Sequence, residues 1–132
     1  MALSGFTDYY EDQIINHMLR AQAFSPAATV YVGLYTTMPD DDGTGGVEVS
    51  GNAYARQAVT LAAASGGASS NSVVVTFPVA TPATWGTVVG FGLFDALTVG
   101  NLLMGGTLTV PKAVAASDQL TFLVGDLDVS VT

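Results

Sequence analysis

The sequence predicts a mainly β chain: an antiparallel β-sandwich or Greek-key barrel of seven or eight short strands, with one N-terminal amphipathic α-helix. Three observations predict it. Apolar residues recur at helical spacing in a single segment near the N-terminus, and beyond about residue 28 the period changes to two. The period-two runs are rich in Val, Thr, Tyr and Phe, and clusters of Gly, Pro, Ser, Asn and Asp separate them. No second helical pattern alternates with the strands, which argues against an α/β fold, and the spacing is too irregular for a repeat array.

The helix is expected from about Asp8 to Ala21. Thr7 is placed to cap it, and Asp8, Glu11 and Asp12 put negative charge where the helix dipole is positive, with Arg20 at the opposite end. Tyr10, Ile14, Met18 and Ala21 form one stripe, widened by Ile15 and Leu19, so the helix should lie on something apolar. Pro26 blocks continuation. Strands are expected at Thr29 to Thr37, Ala53 to Ala62, Val73 to Phe77, Gly86 to Asp95, Asn101 to Val110, Gln119 to Val124 and Leu127 to Val131, with a short eighth at Val47 to Ser50. Met38 to Gly46, Ser65 to Ser72, Pro78 to Thr84 and Thr98 to Gly100 read as loops. Gly33, Gly90 and Gly92 lie inside strand patterns and mark bulges or close backbone approach. Residues 1–132 read as a single domain, helix about 8–21 and sandwich about 28–132.

Composition narrows the function. Three basic residues against eleven acidic ones give a formal charge of −8. Arg20, Arg56 and Lys112 are too few and too far apart for a phosphate-binding face, so neither nucleic acid nor an anionic membrane is expected as a partner. The absence of cysteine excludes disulfides and thiolate chemistry. No apolar run reaches the length of a membrane span, and the first ten residues lack the basic start of a signal peptide. Apolar residues make up 49% of the chain and charged residues only 11%, a balance that predicts surface covered by another subunit: a homo-oligomer, with a trimer favoured.

No catalytic constellation is legible, and no cofactor is expected. His17 is the only imidazole and reads as a helix-surface or interface residue, because a triad needs a base, an orienter and a nucleophile in contact. Asp40, Asp41, Asp42 and Glu48 are weak candidates for hard-cation ligands, but their spacing is not that of an EF-hand loop, and a solvated acidic loop is the simpler reading. Asp126 and Asp128 fall on one face of the last strand, its wet side. Trp85, Phe91 and Phe94 would form a sugar-stacking platform if exposed together; core packing is favoured. Arg56 is expected in a bidentate pair with Glu48 or Asp95.

The order FTDYYEDQIINHMLR, VYVGLYTTMPDDDGTGGVEVSGNAYARQAV, a Gly/Ser loop, FPVATPATWGTVVGFGLFDA, GNLLMGGTLTVPKAV and GDLDV resembles a group of small tailed-phage virion proteins often labelled phage tail fibre protein. The resemblance covers nearly the whole chain. It implies a β-rich fold and a structural role in a virion, and it carries no catalytic residues. The expected partners are further copies of the chain and the major capsid protein or tail proteins, and the charge of −8 sets the expected place on the virion exterior. Because the sequence lacks the repeats or heptads of a fibre shaft, an accessory capsid cement or decoration protein is placed ahead of a tail-fibre or tail-attached module with a glycan-binding role. Tyr10, Ile14, Met18 and Leu19 are the expected interface.

Overall fold

A computed structural model of the protein describes residues 3–131. It is mainly β, antiparallel in every pairing, with one helix near the N-terminus. The elements are β1 (Gly5–Phe6), α1 (Asp8–Arg20), β2 (Val30–Thr37), β3 (Val47–Glu48), β4 (Gln57–Val59), β5 (Ala68–Ser70), β6 (Val75–Thr76), β7 (Gly86–Phe94), β8 (Leu102–Val114), β9 (Thr121–Phe122) and β10 (Asp128–Ser130). One sheet runs β1-β8-β7-β2-β3, and β4 also pairs with β2. Tyr31 and Val32 pair with both β4 and β7, and Tyr35 pairs with both β3 and β7, so β3 and β4 lie end to end along the same edge of β2. Two small ribbons, β5–β10 and β6–β9, complete a sandwich-like arrangement.

The core follows from period two. Val32, Leu34, Phe91, Leu93 and Met104 project from one face of the large sheet and pack with Val75, Phe77, Leu120, Phe122 and Leu127 from the ribbon side. Gly33, Tyr35, Gly92 and Phe94 alternate with them and face the other way. A row of glycines crosses four strands: Gly5 lies opposite Gly105, Gly105 opposite Gly92, and Gly92 opposite Gly33. Directly opposed residues share a face, so the row leaves a trough there. Tyr35 and Phe94 fill it, stacked with ring centroids 6.2 Å apart. A Cβ on Gly92 would stand 2.7 Å from Leu102 and 2.8 Å from Tyr35.

Two strands are absent from the sequence expectation and a third is longer than expected. β1 is a two-residue addition to the edge of β8. β5 lies inside the Gly/Ser stretch expected to be loop and pairs Ser70 with Asp128; poor strand formers are held there by partner backbone rather than by propensity. β8 runs through Pro111, whereas the expected strand stopped at Val110. Between Val88↔Lys112 and Gly90↔Thr107 the register shifts, so Pro111 sits in an irregularity where a missing N–H breaks no ladder bond. The expected Ala53 to Ala62 strand shortens to three residues, because Asn52 and Ala53 adopt positive φ and turn the chain.

The helix begins as expected and ends one residue early. Thr7 caps it, accepting from the Tyr10 amide, and Ala21 closes it in the left-handed region. The apolar stripe, however, is not buried on the sandwich. No helix residue is buried: Tyr10 and Ile14 are half-buried, and Ile15, Met18 and Leu19 are 50%, 70% and 80% exposed. The cause lies in the attachment. Thr7 donates its hydroxyl to the carbonyls of Leu102 and Leu103 and its amide to Leu103, and the Asp8 amide donates to Asp41. These bonds pin the first turn to the start of β8 and to the β2–β3 loop, and Tyr10 packs edge-on against Phe6.

Candidate functional site

The strongest polar constellation lies where β3 and β4 meet along β2. Two short strands cannot cover a long one without a gap, and the gap falls at Leu34. Its carbonyl accepts from the Val49 amide, and its amide donates to the Tyr54 hydroxyl at 3.0 Å. Tyr54 reaches the gap from the core side, its ring stacked on Phe77 and edge-on to Trp85. Its hydroxyl then donates to Glu48 Oε2 at 2.7 Å. Burial and the hydrogen bond to the Glu48 carboxylate both push the Tyr54 pKa well above the ordinary phenol range.

Arg56 completes the group. Its Nε donates to Glu48 Oε2 at 2.9 Å and its Nη2 to Oε1 at 2.8 Å, a two-bond fork. Nη1 donates to the carbonyls of Ala96 and Val99 at 2.9 and 2.8 Å, and the guanidinium carbon lies 3.5 Å from the centre of the Phe94 ring. Burial works against the charged form of Arg56, but the hydrogen bonds and attraction of Glu48 outweigh it and raise the pKa. Tyr35, at the floor, is pushed up to about 12, by burial and then by the Glu48 charge. Gly33 makes room for the whole arrangement: a Cβ there would lie 2.7 Å from Glu48 Oε2, 2.9 Å from Phe94 and 3.0 Å from the Tyr54 hydroxyl.

What the node positions is the β7–β8 loop, residues 95–101. Asp95, the other partner offered for Arg56, is engaged within that loop: its carboxylate accepts from the Asn101 amide at 2.7 Å and side chain at 2.9 Å. Val99 takes φ 56°, a conformation that β-branched residues seldom adopt. Arg56 holds its carbonyl there while the Val99 side chain stands 85% exposed beside Leu97, 51% exposed. The loop therefore presents an apolar tip on a rigid base. A cavity of about 360 Å³ lies beside it, lined in part by Tyr9, Asp42 and Arg56; all three guanidinium nitrogens are already donating.

The remaining expected residues are dispersed. Asp40, Asp41 and Asp42 are exposed, and Glu48 is turned to Arg56 and Tyr54; among the described residues no three His, Asp or Glu side chains are grouped to hold a metal ion. Asp42 accepts from the Thr44 hydroxyl and amide, bonds that lower its pKa. Asp126 lies outside β10, contrary to the paired-strand expectation, because its carboxylate accepts from the Leu123 amide and closes a turn; Asp128 is exposed on the strand. His17 Nδ1 lies 2.9 Å from the Gln22 carbonyl. Trp85, Phe91 and Phe94 form no platform: all three are buried, Phe94 on the face opposite Phe91. Two residues were missed from sequence. Tyr54 stood in a strand pattern as an ordinary aromatic. Asn71 stood in a loop, yet it is buried, donating to the carbonyls of Val73 and Leu123 and accepting from the Leu127 amide.

The comparisons with known proteins bear on this frame. A family model described as Podophage GP4 fiber I protein gp80 matches residues 5–130. The chain belongs to this family. The match begins at the first residue of β1 and ends at the last residue of β10. No curated protein matches the chain. A fibre family agrees with the resemblance drawn from sequence, and it favours the tail-fibre reading over the capsid-cement reading, which had rested on the lack of shaft repeats. No helix among the described residues is long and apolar enough to cross a membrane.

Proposed function

We propose that the protein is a non-enzymatic building block of a tailed-phage fibre, carried on the outside of the virion and in contact with other fibre or tail proteins. The observation that carries this reading is the family match across residues 5–130. The geometry supports it. The strongest polar constellation is engaged in holding the fold: Arg56 in its fork and Glu48 between Arg56 and Tyr54, while Asp42, Asp95 and Asp126 close turns. A tyrosine whose pKa is raised as Tyr54's is makes a poor base at neutral pH. A sequence with no shaft repeats favours a compact module of the fibre over its length, and a net charge of −8 suits an external module.

Electron microscopy of virions labelled with antibody against the chain tests the reading. Label at the tail and its appendages is expected. Label spread over the capsid surface would overturn the fibre assignment and restore the cement reading. Release of sugar from host polysaccharide by the purified chain, abolished by no contaminant control, would overturn the non-enzymatic part.

A further inference from the structure

The cavity of about 360 Å³ beside the β7–β8 loop collects polar atoms that the Arg56 node leaves unused. Four segments each bring a side chain to its lining: Tyr9 from α1, Tyr35 from β2, Asp42 from the β2–β3 loop and Asn101 from the β7–β8 loop. Tyr35 is the decisive one. It is only 6% exposed and stacked on Phe94, yet among the described residues its hydroxyl has no hydrogen-bond partner. The Tyr54 hydroxyl, by contrast, makes two hydrogen bonds. A buried phenol sealed without a partner is costly. Among the described residues no fully sealed side-chain oxygen lacks a partner, so the Tyr35 oxygen keeps an opening, and this cavity is the one that Tyr35 lines.

We propose that this cavity binds one neutral saccharide unit, whose hydroxyls pair with Tyr9, Tyr35, Asp42 and Asn101. The unused atoms argue for the ligand. Burial pushes the Tyr35 pKa up to about 12, so at neutral pH the phenol has a hydrogen to donate. The Tyr9 hydroxyl can donate or accept. Asp42 takes both Thr44 bonds on Oδ1, which leaves Oδ2 to accept. Asn101 gives its amide and its side-chain nitrogen to Asp95, which leaves its side-chain carbonyl to accept. Such a set matches a molecule that both donates and accepts, as a hydroxyl does. An anion only accepts, and it would meet Asp42 and the Glu48 carboxylate. An ammonium group only donates, so it would leave the Tyr35 hydrogen unpaired, and the Arg56 guanidinium stands in the same wall. The volume is near the lower limit of the roughly 300–1,000 Å³ of small-molecule sites, which suits one ring rather than several. Because the four groups stand on four segments, a rigid ring that fixes several hydroxyls at once loses less freedom on binding than a flexible polyol. Tyr9, 38% exposed, offers its ring to the C–H face of the sugar. The site is complete within one chain and does not depend on the fibre reading, so the purified protein must bind on its own.

Amide resonances of the isotope-labelled protein are followed while the methyl glycosides of glucose, galactose, mannose and N-acetylglucosamine are added in turn, each to about 50 mM. Saturable shifts at Tyr35, Gly43 and Asn101, with a millimolar dissociation constant, are expected for at least one of them. Four comparison compounds should bind at least about tenfold more weakly: cyclohexanol, which has a ring with a single hydroxyl; glycerol, which has hydroxyls without the ring; and the charged sugars glucuronate and glucosamine. Tyr35→Phe should weaken glycoside binding about tenfold. It should leave the melting temperature unchanged, because the hydroxyl it removes has no partner in the protein. Asp42→Asn keeps the oxygen that Thr44 holds and should weaken binding by a similar factor. No saturable shift with any glycoside, equal binding of any comparison compound, or undiminished binding by either variant overturns the proposal. So does a lower melting temperature for Tyr35→Phe, which would give the hydroxyl a partner within the fold.

Discussion

Replacing Arg56 by Lys keeps the charge and removes the fork, and its cost measures how far the node holds the β7–β8 loop. Arg56 makes four hydrogen bonds, two to Glu48 and one each to the carbonyls of Ala96 and Val99. A lysine ammonium reaching Glu48 keeps the charge contact but cannot also span both carbonyls or lie flat on Phe94. Two limits bracket the magnitude: an exposed ion pair contributes under about 1 kcal/mol, and breaking a buried one costs about 3–5 kcal/mol. The side chains are 9% and 24% exposed for Arg56 and Glu48, which places the pair toward the buried limit. Because the charge survives, we expect Arg56→Lys to cost about 2 kcal/mol, and Arg56→Ala about 3 kcal/mol or more. In urea, with a slope of about 1–2 kcal/mol/M, the lysine protein should unfold at a midpoint lower by about 1–2 M. Protease cleavage within residues 95–101 should accelerate in parallel, since the carbonyls that define the loop lose their donor. A lysine protein within about 0.5 kcal/mol of the original, with the loop equally resistant, would refute the reasoning and reduce Arg56 to a surface charge.

Three further outcomes follow from the same geometry. Gly33→Ala should cost about 1–3 kcal/mol by thermal or urea unfolding, because its Cβ meets Glu48, Phe94 and the Tyr54 hydroxyl at 3.0 Å or less; no loss would mean the node yields easily. Tyr54→Phe leaves the Leu34 amide without its acceptor and should cost about 1–3 kcal/mol. It should also flatten the alkaline profile. The pKa values of Tyr54 and Tyr35 are raised in the fold, so the stability they contribute is complete below the unfolded value of 10.0 and is lost as pH rises from there through the folded values; a stability–pH curve above pH 10 identical in the Phe protein would contradict this. Thr7→Ala removes the helix cap and two bonds to β8 and should cost about 1–2 kcal/mol, with helical circular dichroism falling before the β signal on heating.

The sequence by itself determined what depends on local pattern. The cap at Thr7, the long strands β2 and β7 and the start of β8 were legible because each carries its own periodicity and punctuation. The glycines at 33 and 92 were legible as close approaches because a strand has no other reason to leave those positions empty. Glu48 was nameable as a partner of Arg56 because a chain so poor in basic residues offers few pairs. Tertiary structure decided the rest. The Gly/Ser stretch became β5 because β10 came alongside it, and Asn71 became a buried tie because three backbone segments converge on it; neither convergence leaves a mark on the local sequence. Asp95 stayed within its own loop, since the hairpin brings Asn101 nearer than Arg56. The helix stripe shows the limit most plainly. Periodicity states that one face of α1 is apolar, but only the attachment of its first turn decides that Ile15, Met18 and Leu19 stay exposed rather than buried on the chain's own core.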